Sequence, residues 1–287
     1  MSVKIITDSA SDMTQLQAAE RNLTVIPLTI RMDGEEYLDG VTLTKEAFYC
    51  RLPDCAALPT TSQIAPYAFT EVLNRELKEG DEAVIITISG KLSGTVQSAL
   101  IAASEFDGRV QVVDSRNVCV GEQVLVEYAL RLRDQGMGAT AIAEQLQAMR
   151  EQICLVALVD TLEYVIKGGR LSKAAGFAGT MLNVRPVVGV KDGELKVLGK
   201  ALGAKKSNNL LTQTIHATGG IDFSLPLMLG YSGADDTKLQ DYIENSRALW
   251  EANVRESELP ISMIGSTVGT YAGPGAVAIA YFARQPL

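Results

Sequence analysis

The sequence predicts an α/β protein whose N-terminal half is a doubly wound, mostly parallel sheet and whose C-terminal half is α+β. Apolar runs typical of buried strands alternate with helical patterns up to about residue 152, and this alternation favours parallel strands joined by helices. Beyond that point hairpin signals interrupt the alternation. The chain of 287 residues is long enough for two domains, which we place at 1–152 and 153–287.

Short apolar runs predict the strands of the first half, at 3–7, 23–30, 83–88 and 110–113. Pro27 inside the second run indicates a bulge or an edge position, because proline cannot donate to a strand ladder. Asp33-Gly34 follows that run and is a strong hairpin signal.

Helices are predicted between these strands from capping residues and from apolar spacing, at 14–21, 44–52, 96–103, 120–133 and 140–150. A further helix should begin at Pro66, since proline suits the first helical position. It carries Phe69 and Leu73 on one face, and Gly80 is expected to close it.

The second half predicts strands at 153–159, 184–190, 195–198, 225–229 and 259–264, with a last apolar strand after Ala276. Lys191-Asp192-Gly193-Glu194 indicates a hairpin between two of them. Helical segments are expected at 162–166, 204–217 and 235–250. The segment 172–182 is small and apolar, and Gly265, Gly269 and Gly273 permit close backbone approach.

Composition excludes several classes of protein. The net charge of -8, without a basic tract, argues against nucleic acid as a partner and leaves only transient contact with a membrane open. No run is long and apolar enough to span a bilayer, and the N-terminus leads directly into a strand-like run instead of a signal peptide. We therefore expect a cytoplasmic location.

Metal and disulfide chemistry are not expected either. The chain has 4 Cys without a Cys-x-x-Cys pair, which is typical of thiols in a reducing compartment. A single histidine, His216, makes a His-based zinc site very unfavourable, and we expect no metal and no cofactor.

Two hydroxyl-rich segments organise the rest of the chain. Thr60-Thr61-Ser62-Gln63 is predicted to be a turn, and Ser89-Gly90-Lys91-Leu92-Ser93-Gly94-Thr95 lies between a buried strand and a helix. A helix N-terminus offers free backbone N–H groups and the positive end of the helix dipole. Ser93 is expected at or near the N-cap. The sequence therefore predicts an anion site here, although a capping role for Ser93 alone stays open.

Two chemical interpretations of this segment fit poorly. A nucleotide-binding P-loop requires Ser or Thr directly after the lysine and a glycine five residues before Gly90, but Leu92 and Ile85 stand at those positions. A Ser93 nucleophile would need the Gly-x-Ser-x-Gly spacing and a nearby base, and His216 lies on a helix of the other half. A small-molecule hydrolase or transferase that uses Ser93 remains the alternative hypothesis.

Binding without reaction is the preferred interpretation. Hydroxyl groups and helix N–H groups can hold a carboxylate by hydrogen bonds without a fixed cation, so an apolar tail can continue into apolar surroundings. The segment 176–182 could line the cavity for such a tail, although by itself such a segment is more often simply a packed helix. The Lys167-Gly168-Gly169-Arg170 loop suits either a phosphate contact or an exposed turn.

Several motifs taken together resemble the DegV family of bacterial fatty-acid-binding proteins, which includes the carrier subunits of fatty-acid kinase (the FakB type). The resemblance covers the whole chain and depends on the order and spacing of segments that are each weak alone. These segments are Thr7-Asp8-Ser9, Thr60-Thr61-Ser62-Gln63, Ser93-Gly94-Thr95-Val96-Gln97-Ser98-Ala99, Val113-Asp114-Ser115, Lys167-Gly168-Gly169-Arg170-Leu171-Ser172 and Gly273-Pro274-Gly275-Ala276.

The resemblance implies two α/β domains with a long-chain fatty acid such as palmitate enclosed between them, and no catalytic activity in the chain itself. It implies that Thr61 and Ser93 bind the carboxylate, and we expect help from the backbone N–H groups of Gly94 or Thr95. In carriers that serve a kinase, the acid is presented to a separate ATP-binding subunit, and the loop ending in Arg170 is implicated in that docking.

The sequence departs from the kinase-linked members at two places. Many of them have a histidine where this chain has Tyr271, which can still donate a hydrogen bond to the head group. They also carry an arginine near the strand before the Lys205-Lys206 pair, where this chain has Lys200 and no arginine. A kinase partner is therefore a weaker expectation than lipid binding.

Overall fold

A computed structural model describes residues 2–171 and 184–285. Its first half contains the strands β1 Val3–Asp8, β2 Leu23–Ile26, β3 Thr29–Met32, β4 Glu35–Leu38, β5 Thr60–Ser62, β6 Glu82–Thr87 and β7 Val110–Asp114. The helices of this half are α1 Gln15–Glu20, α2 Lys45–Arg51, α3 Pro66–Glu76, α4 Thr95–Ala103, α5 Val120–Asp134 and α6 Ala139–Met149.

The second half contains β8 Ile153–Leu158, β9 Val184–Lys191, β10 Glu194–Leu202, β11 Leu227–Tyr231, β12 Ile261–Met263 and β13 Val277–Phe282. Its helices are α7 Glu163–Lys167, α8 Ala204–Ala217, α9 Thr237–Asn245 and α10 Ser266–Ala272.

The predicted parallel sheet of the first half is confirmed. Its strands run in the order β2-β1-β6-β7, and each neighbouring pair is parallel. The second half folds around a 6-stranded sheet in the order β10-β9-β8-β13-β11-β12, in which only β11 and β12 pair in parallel. The class is therefore α/β with an α+β second half, as the sequence predicts.

The predicted strand 23–30 is wrong as a single element. It divides at Pro27 into β2, an edge of the parallel sheet, and β3, the centre of a separate 3-stranded sheet in the order β4-β3-β5. Proline has no N–H and cannot continue the ladder, so the chain leaves one sheet and enters another. The Asp33-Gly34 hairpin is correct: both residues have positive φ, 53° and 86°, and they connect β3 to β4.

The predicted turn at Thr60-Thr61-Ser62-Gln63 is also wrong, because Thr60–Ser62 forms β5 and pairs with β3. Gly80 does not close α3, which ends at Glu76 with Leu77 as its C-cap. The predicted helix 235–250 is shorter, since α9 ends at Asn245 and a 3-10 turn follows at Arg247–Leu249.

The second predicted hairpin is confirmed between β9 and β10, where Asp192 and Gly193 have φ of 53° and 79°. Helix α10 was not predicted from the sequence. Only Gly265, Gly269 and Gly273 were noted in this segment, as positions that permit close backbone approach. The segment 176–182, suggested as a cavity lining, lies outside the described residues.

One apolar core joins the two halves. Its largest cluster contains residues of the parallel sheet such as Ile5 and Val84 together with Leu155 and Phe282 of the second half. Helix α5 contacts β1 of the parallel sheet and also β8, β11 and β13, so it lies between the two sheets. The loops at the carboxyl ends of the parallel strands therefore face the second half.

Candidate functional site

A cavity of about 280 Å³ lies between the carboxyl ends of the parallel strands and the 6-stranded sheet. Its described lining is mostly apolar, for example Ile88 and Val118 from the first half and Ala157, Val188 and Ala278 from the second. In open α/β sheets, ligands bind outside the carboxyl ends of the strands, often at such a place. We call this cavity the pocket.

Polar side chains of the pocket gather at its half-buried end. Thr61, Ser93, Arg170 and Tyr271 line the pocket there, and we call these four residues the head-group cluster. Elsewhere the described wall is mostly aliphatic, with Gln63, Thr161 and Thr267 as its other polar residues. The pocket thus has one polar end and an apolar remainder, which suits an amphipathic ligand.

Ser93 is fixed by the loop that follows β6. Its backbone N–H donates to Ser89 O at 3.1 Å, and the Ser89 hydroxyl donates to Gly193 O of the β9–β10 hairpin at 2.7 Å. The predicted position near the N-terminus of α4 is confirmed, although Gly94, not Ser93, is the N-cap. The Ser93 side chain therefore sits beside the positive end of this helix.

Gly94 is required by close packing. A Cβ atom added there would lie 2.0 Å from Oε1 of Gln63, whose Nε2 donates to Ser98 Oγ at 3.2 Å. Gly94 lines the pocket, and its backbone N–H has no acceptor among the described residues. The backbone at this point can therefore supply a free donor to a ligand.

Thr61 reaches the pocket because it lies on a strand. Its neighbours Thr60 and Ser62 are exposed while Thr61 is half-buried, as the two-residue period of a strand requires. Pairing with Ile30 of β3 fixes the register. The Thr61 hydroxyl lies 2.7 Å from the Tyr271 hydroxyl, so these two groups form one hydrogen-bonded pair across the two halves.

Arg170 folds inward against Tyr271. Its guanidinium carbon lies 4.8 Å from the centroid of the Tyr271 ring, and Nη1 donates to Gly168 O at 2.8 Å. Nε donates to Leu92 O at 3.4 Å, next to Ser93. A Cβ at Gly168 would come within 2.4 Å of the same ring. The cation Arg170 thus lines the pocket. The sequence alone predicted an anion site without a fixed positive charge.

Thr95 differs from the other expected carboxylate ligands. It is fully buried and is not among the residues that line the pocket. Its hydroxyl lies 2.9 Å from that of Ser93, and its N–H donates to Ser93 Oγ at 3.3 Å. In this structure Thr95 therefore orients Ser93 and does not face the pocket itself.

A second polar region lies directly behind α10. Asp12 accepts from Gly265 N at 2.8 Å, and Asp39 accepts from Ser266 N at 3.1 Å and from Thr267 N at 3.2 Å. Lys45 Nζ donates to Asp12 O at 2.7 Å. We call Asp12, Asp39, Lys45 and Tyr49 the α10 clasp.

The clasp holds the backbone that precedes the helix. Lys45 Nζ also donates to Met263 O at 2.6 Å, and the Tyr49 hydroxyl donates to Ile264 O at 3.0 Å. Asp12 and Asp39 are almost fully buried. Burial raises the pKa of Asp12 to about 6, against the opposing effect of the Lys45 charge. The clasp therefore links the first half to the helix that carries Tyr271.

Asp8, at the end of β1, likewise serves the backbone. Its carboxylate accepts from Ala10 N at 2.9 Å and from Ile88 N at 2.8 Å. Desolvation raises its pKa to about 7 despite these two bonds. This carboxylate therefore holds loops together and does not line the pocket.

Sequence reasoning missed three pocket residues with polar side chains: Gln63, Thr161 and Thr267. Thr267 follows β12 and begins α10, so it shows the same order of strand, small polar residues and helix that identified Ser93. Applied at Gly265-Ser266-Thr267, that rule would have found it.

Two classes of site have no support within the described ranges. No group of three or more His, Cys, Asp or Glu side chains in residues 2–171 and 184–285 could hold a metal ion. In the same part of the chain, none of the helices has the length and apolar character needed to cross a membrane.

The fold and the pocket define a class of α/β proteins with an apolar cavity that ends in hydroxyl groups. The family model described as "Uncharacterised protein, DegV family" matches residues 2–284. The chain is also 34% identical over 278 residues to a DegV domain-containing protein of Caldanaerobacter subterraneus, a match covering 96% of this chain and 97% of the relative. The protein belongs to the DegV family.

Solved structures agree with this assignment. A structure described as fatty acid binding of a DegV family protein from Thermus thermophilus is 32% identical, with a TM-score of 0.87 over 99% of this chain and 100% of that one. A stearic acid-binding protein from Eubacterium ventriosum is 26% identical, with a TM-score of 0.84 over 99% of both chains.

Proposed function

We propose that this protein binds a long-chain fatty acid, with the carboxylate at the head-group cluster and the acyl tail in the apolar part of the pocket. The observation that carries the proposal is the polarity of the pocket: hydroxyl groups and one guanidinium at the half-buried end, aliphatic side chains beyond. Apolar burial supplies the affinity for the tail, at about 25 cal/mol for each Å² removed from water.

The head-group cluster has the donors that a carboxylate needs. Thr61, Ser93 and Gly94 line the pocket and offer two hydroxyls and a backbone N–H, and each hydrogen bond to a charged group contributes roughly 1.5–3 kcal/mol. When the Tyr271 hydroxyl donates to Thr61, the Thr61 proton is left free for the ligand. The nearby charge of Arg170 favours an anion further.

Two relatives support the choice of ligand. The Thermus thermophilus protein is described as binding a fatty acid and the Eubacterium ventriosum protein as binding stearic acid, and both share the fold over nearly the whole chain. The ligand of this protein should accordingly be a long-chain fatty acid, with palmitate as one candidate, and no cofactor is required.

The protein acts without catalysis of its own under this proposal. The hydroxyl of Ser93 pairs with that of Thr95 and not with a base. His216 is exposed on α8, and none of the described residues that line the pocket is a histidine or a carboxylate. A hydrolase that uses Ser93 would need a general base within hydrogen-bond reach, so nothing specific favours this alternative.

The proposed ligand position also suggests how the chain divides. Residues 1–152 carry the parallel sheet and the strand-end loops, and residues 153–287 carry the larger sheet. We retain these bounds as two domains with the fatty acid between them. The four cysteines are free thiols, which agrees with a cytoplasmic protein.

We further propose that the bound acid is presented to an ATP-binding fatty-acid kinase subunit. The support is the sequence resemblance to such carriers and the exposed turn beside the pocket, where Ile166 and the side chain of Lys167 face solvent and Arg170 reaches back to Tyr271. Under this proposal, the loop that would dock the kinase lies beside the pocket, because its Arg170 packs on Tyr271.

A kinase assay would test this partner. The protein loaded with palmitate is mixed with ATP and a purified bacterial fatty-acid kinase subunit, and acyl phosphate is trapped with hydroxylamine. Product should form with the wild type and fall at least tenfold with Lys167→Glu, which lies outside the pocket lining. Absence of product from a carrier that binds palmitate normally would contradict the kinase role alone.

Native mass spectrometry tests the ligand itself. Protein purified from a bacterial host should carry one molecule of long-chain acid, and delipidated protein should bind added palmitate or stearate with a Kd in the micromolar range or below. Delipidated, folded protein that binds neither acid would contradict the proposal.

A further inference from the structure

Four buried carboxyl groups lie behind the wall of the pocket. Asp8, Asp12, Asp39 and Glu122 are each at most 2% exposed, and we call these four residues the acid layer. None of the ion pairs among the described residues involves any of them. Burying several carboxylates without paired cations is costly, so such a layer keeps some of its protons at neutral pH.

Backbone hydrogen bonds attach the acid layer to residues that face the pocket. Asp8 accepts from Ile88 N at 2.8 Å, and Asp39 accepts from Thr267 N at 3.2 Å. Ile88 and Thr267 both line the pocket. These two carboxyl groups therefore lie directly behind the wall that separates them from the ligand.

Asp12 and Asp39 converge on one glycine. A Cβ atom added at Gly265 would lie 3.2 Å from Asp12 Oδ1 and 3.5 Å from each carboxylate oxygen of Asp39. The two carboxyl groups are thus no farther apart than the sum of these distances. Gly265 follows the lining residue Ile264, so this pair also lies behind the wall. Two carboxyl groups so close together resist full ionisation.

The other titratable groups that face the layer leave its charge uncompensated. They are Lys45 and Tyr49 of α2, Cys119 at the start of α5 and Asp114 at the end of β7. Lys45 is the one cation among them, and its Nζ donates to two backbone oxygens. Burial holds the pKa of Tyr49 and of Cys119 well above the ordinary values, so both stay neutral. Helix α10, which packs on the same place, contains no charged residue.

Two members of the layer titrate near neutral pH. Burial raises the pKa of Asp8 to about 7, with smaller contributions from the charges of Asp39 and Asp12, against the two backbone hydrogen bonds that Asp8 accepts. Burial likewise raises the pKa of Asp12 to about 6, against the Lys45 charge. Burial puts the pKa of Glu122 well above its usual value, so this group stays protonated.

We propose that the acid layer couples binding of the fatty-acid anion to uptake of a proton, so that affinity rises as the pH falls from about 7.5 to about 6. This inference rests on the proposed function. The bound carboxylate adds a negative charge on the other side of the wall, where it repels ionised Asp8 and Asp12. Each of these two groups then binds a proton more readily in the complex than in the empty protein.

The expected coupling is partial, because the wall separates the ligand from the layer and each group is already partly protonated. Net uptake should be about 0.2–0.5 proton for each ligand bound near pH 6.5, which corresponds to a gain of about 2- to 5-fold in affinity between about pH 7.5 and pH 6.

Calorimetry on delipidated protein counts these protons. Binding is measured in two buffers with different heats of ionisation, such as phosphate and imidazole, with palmitate and with tetradecyl sulfate, whose head group stays charged throughout this pH range. The wild type should take up protons with both ligands. Uptake with palmitate alone would place the proton on the ligand and overturn the inference, and so would binding without any uptake.

Variants locate the proton. Asp8→Asn should reduce the uptake most near pH 7 and Asp12→Asn most near pH 6. Glu122→Gln is the matched control, because it replaces an equally buried carboxyl group of the same layer that is already protonated. It should leave the uptake unchanged.

Asp12→Asn decides alone if Asp8→Asn does not fold, since Asp8 uses both oxygens as backbone acceptors. Full uptake in the aspartate variants that fold would overturn the inference. A folded wild type that binds neither palmitate nor tetradecyl sulfate would instead contradict the proposed function.

Discussion

The head-group cluster and the α10 clasp are both polar, and they differ in which groups they present. The cluster faces the pocket with hydroxyls and a guanidinium, while the clasp turns the carboxylates of Asp12 and Asp39 toward backbone N–H groups. A carboxylate that faced the pocket would repel an anionic head group. The comparison shows that acidic residues here fix the wall, while hydroxyls and one guanidinium face the pocket.

Removal of Asp39 should break the clasp and produce the largest effect. Asp39→Ala leaves the N–H groups of Ser266 and Thr267 unsatisfied in a buried place, so the free energy of unfolding should fall by about 2–4 kcal/mol. Chemical denaturation of ligand-free protein measures this loss. Asp39→Asn, which keeps one acceptor, should lose less, and equal stability of all three proteins would show that the clasp does not hold α10.

Removal of a cluster hydroxyl should reduce binding and leave stability nearly unchanged. Ser93→Ala and Thr61→Val each remove one donor from the carboxylate, which should weaken palmitate binding by about 1–3 kcal/mol. Calorimetric titration measures the change. Ser62→Ala, on the exposed side of the same strand, should bind normally. If Ser93→Ala kept full affinity but lowered the melting temperature, Ser93 would be a structural residue.

The buried carboxyls should make stability depend on pH. Burial raises the pKa of Asp8 to about 7 and that of Asp12 to about 6, from 3.8. The folded protein then holds protons that the unfolded chain releases, so the stability contributed by these groups is complete below about pH 3.8 and is lost as pH rises to about 6 for Asp12 and about 7 for Asp8. Between about pH 6 and pH 7.5 the decrease should be about 1–2 kcal/mol.

Asp12→Asn separates this effect from general charge repulsion. One Asp12 oxygen accepts from Gly265 N, and the Cys119 thiol also lies against this carboxyl, so an amide that keeps one acceptor oxygen fits with little change. Thermal melts at several pH values should show a shallower dependence below about pH 6 for this variant. An unchanged slope would mean that Asp12 is ionised throughout the range.

Tyr271→Phe should have the smallest effect on affinity. It removes the hydroxyl that pairs with Thr61 and preserves the ring under Arg170, so palmitate binding should weaken by about 0.5–1.5 kcal/mol. Tyr271→Leu also removes the cation–π contact and should weaken it further. Equal affinity of the two variants would exclude a role for that contact.

Local sequence patterns predicted the head-group cluster better than the α10 clasp. Ser93 could be found because a strand, small polar residues and a helix follow one another directly, and both Asp-Gly hairpins could be found from two residues each. Thr61 was correctly chosen but given the wrong structure, since its strand forms only by pairing with β3, about thirty residues away along the chain.

The clasp could not have been predicted in this way. Asp39 and Thr267 are separated by 228 residues along the chain, and nothing near Asp39 indicates that it caps α10. Arg170 was expected to contact a partner protein. In the structure its guanidinium instead packs on the ring of Tyr271, and the side chain lines the pocket. The positions of Asp39 and Arg170 are determined by contacts with elements far away along the chain. Local sequence patterns do not show such contacts.

The orientation of the bound acid tests the central claim most directly. A crystal structure with stearate brominated at its methyl end would locate both ends of the ligand, since bromine is identified by its anomalous scattering. The carboxylate should lie within hydrogen-bond distance of Thr61 Oγ1 and Ser93 Oγ, with the bromine in the apolar part of the pocket. Bromine beside Ser93, or a ligand bound outside the pocket, would contradict the account.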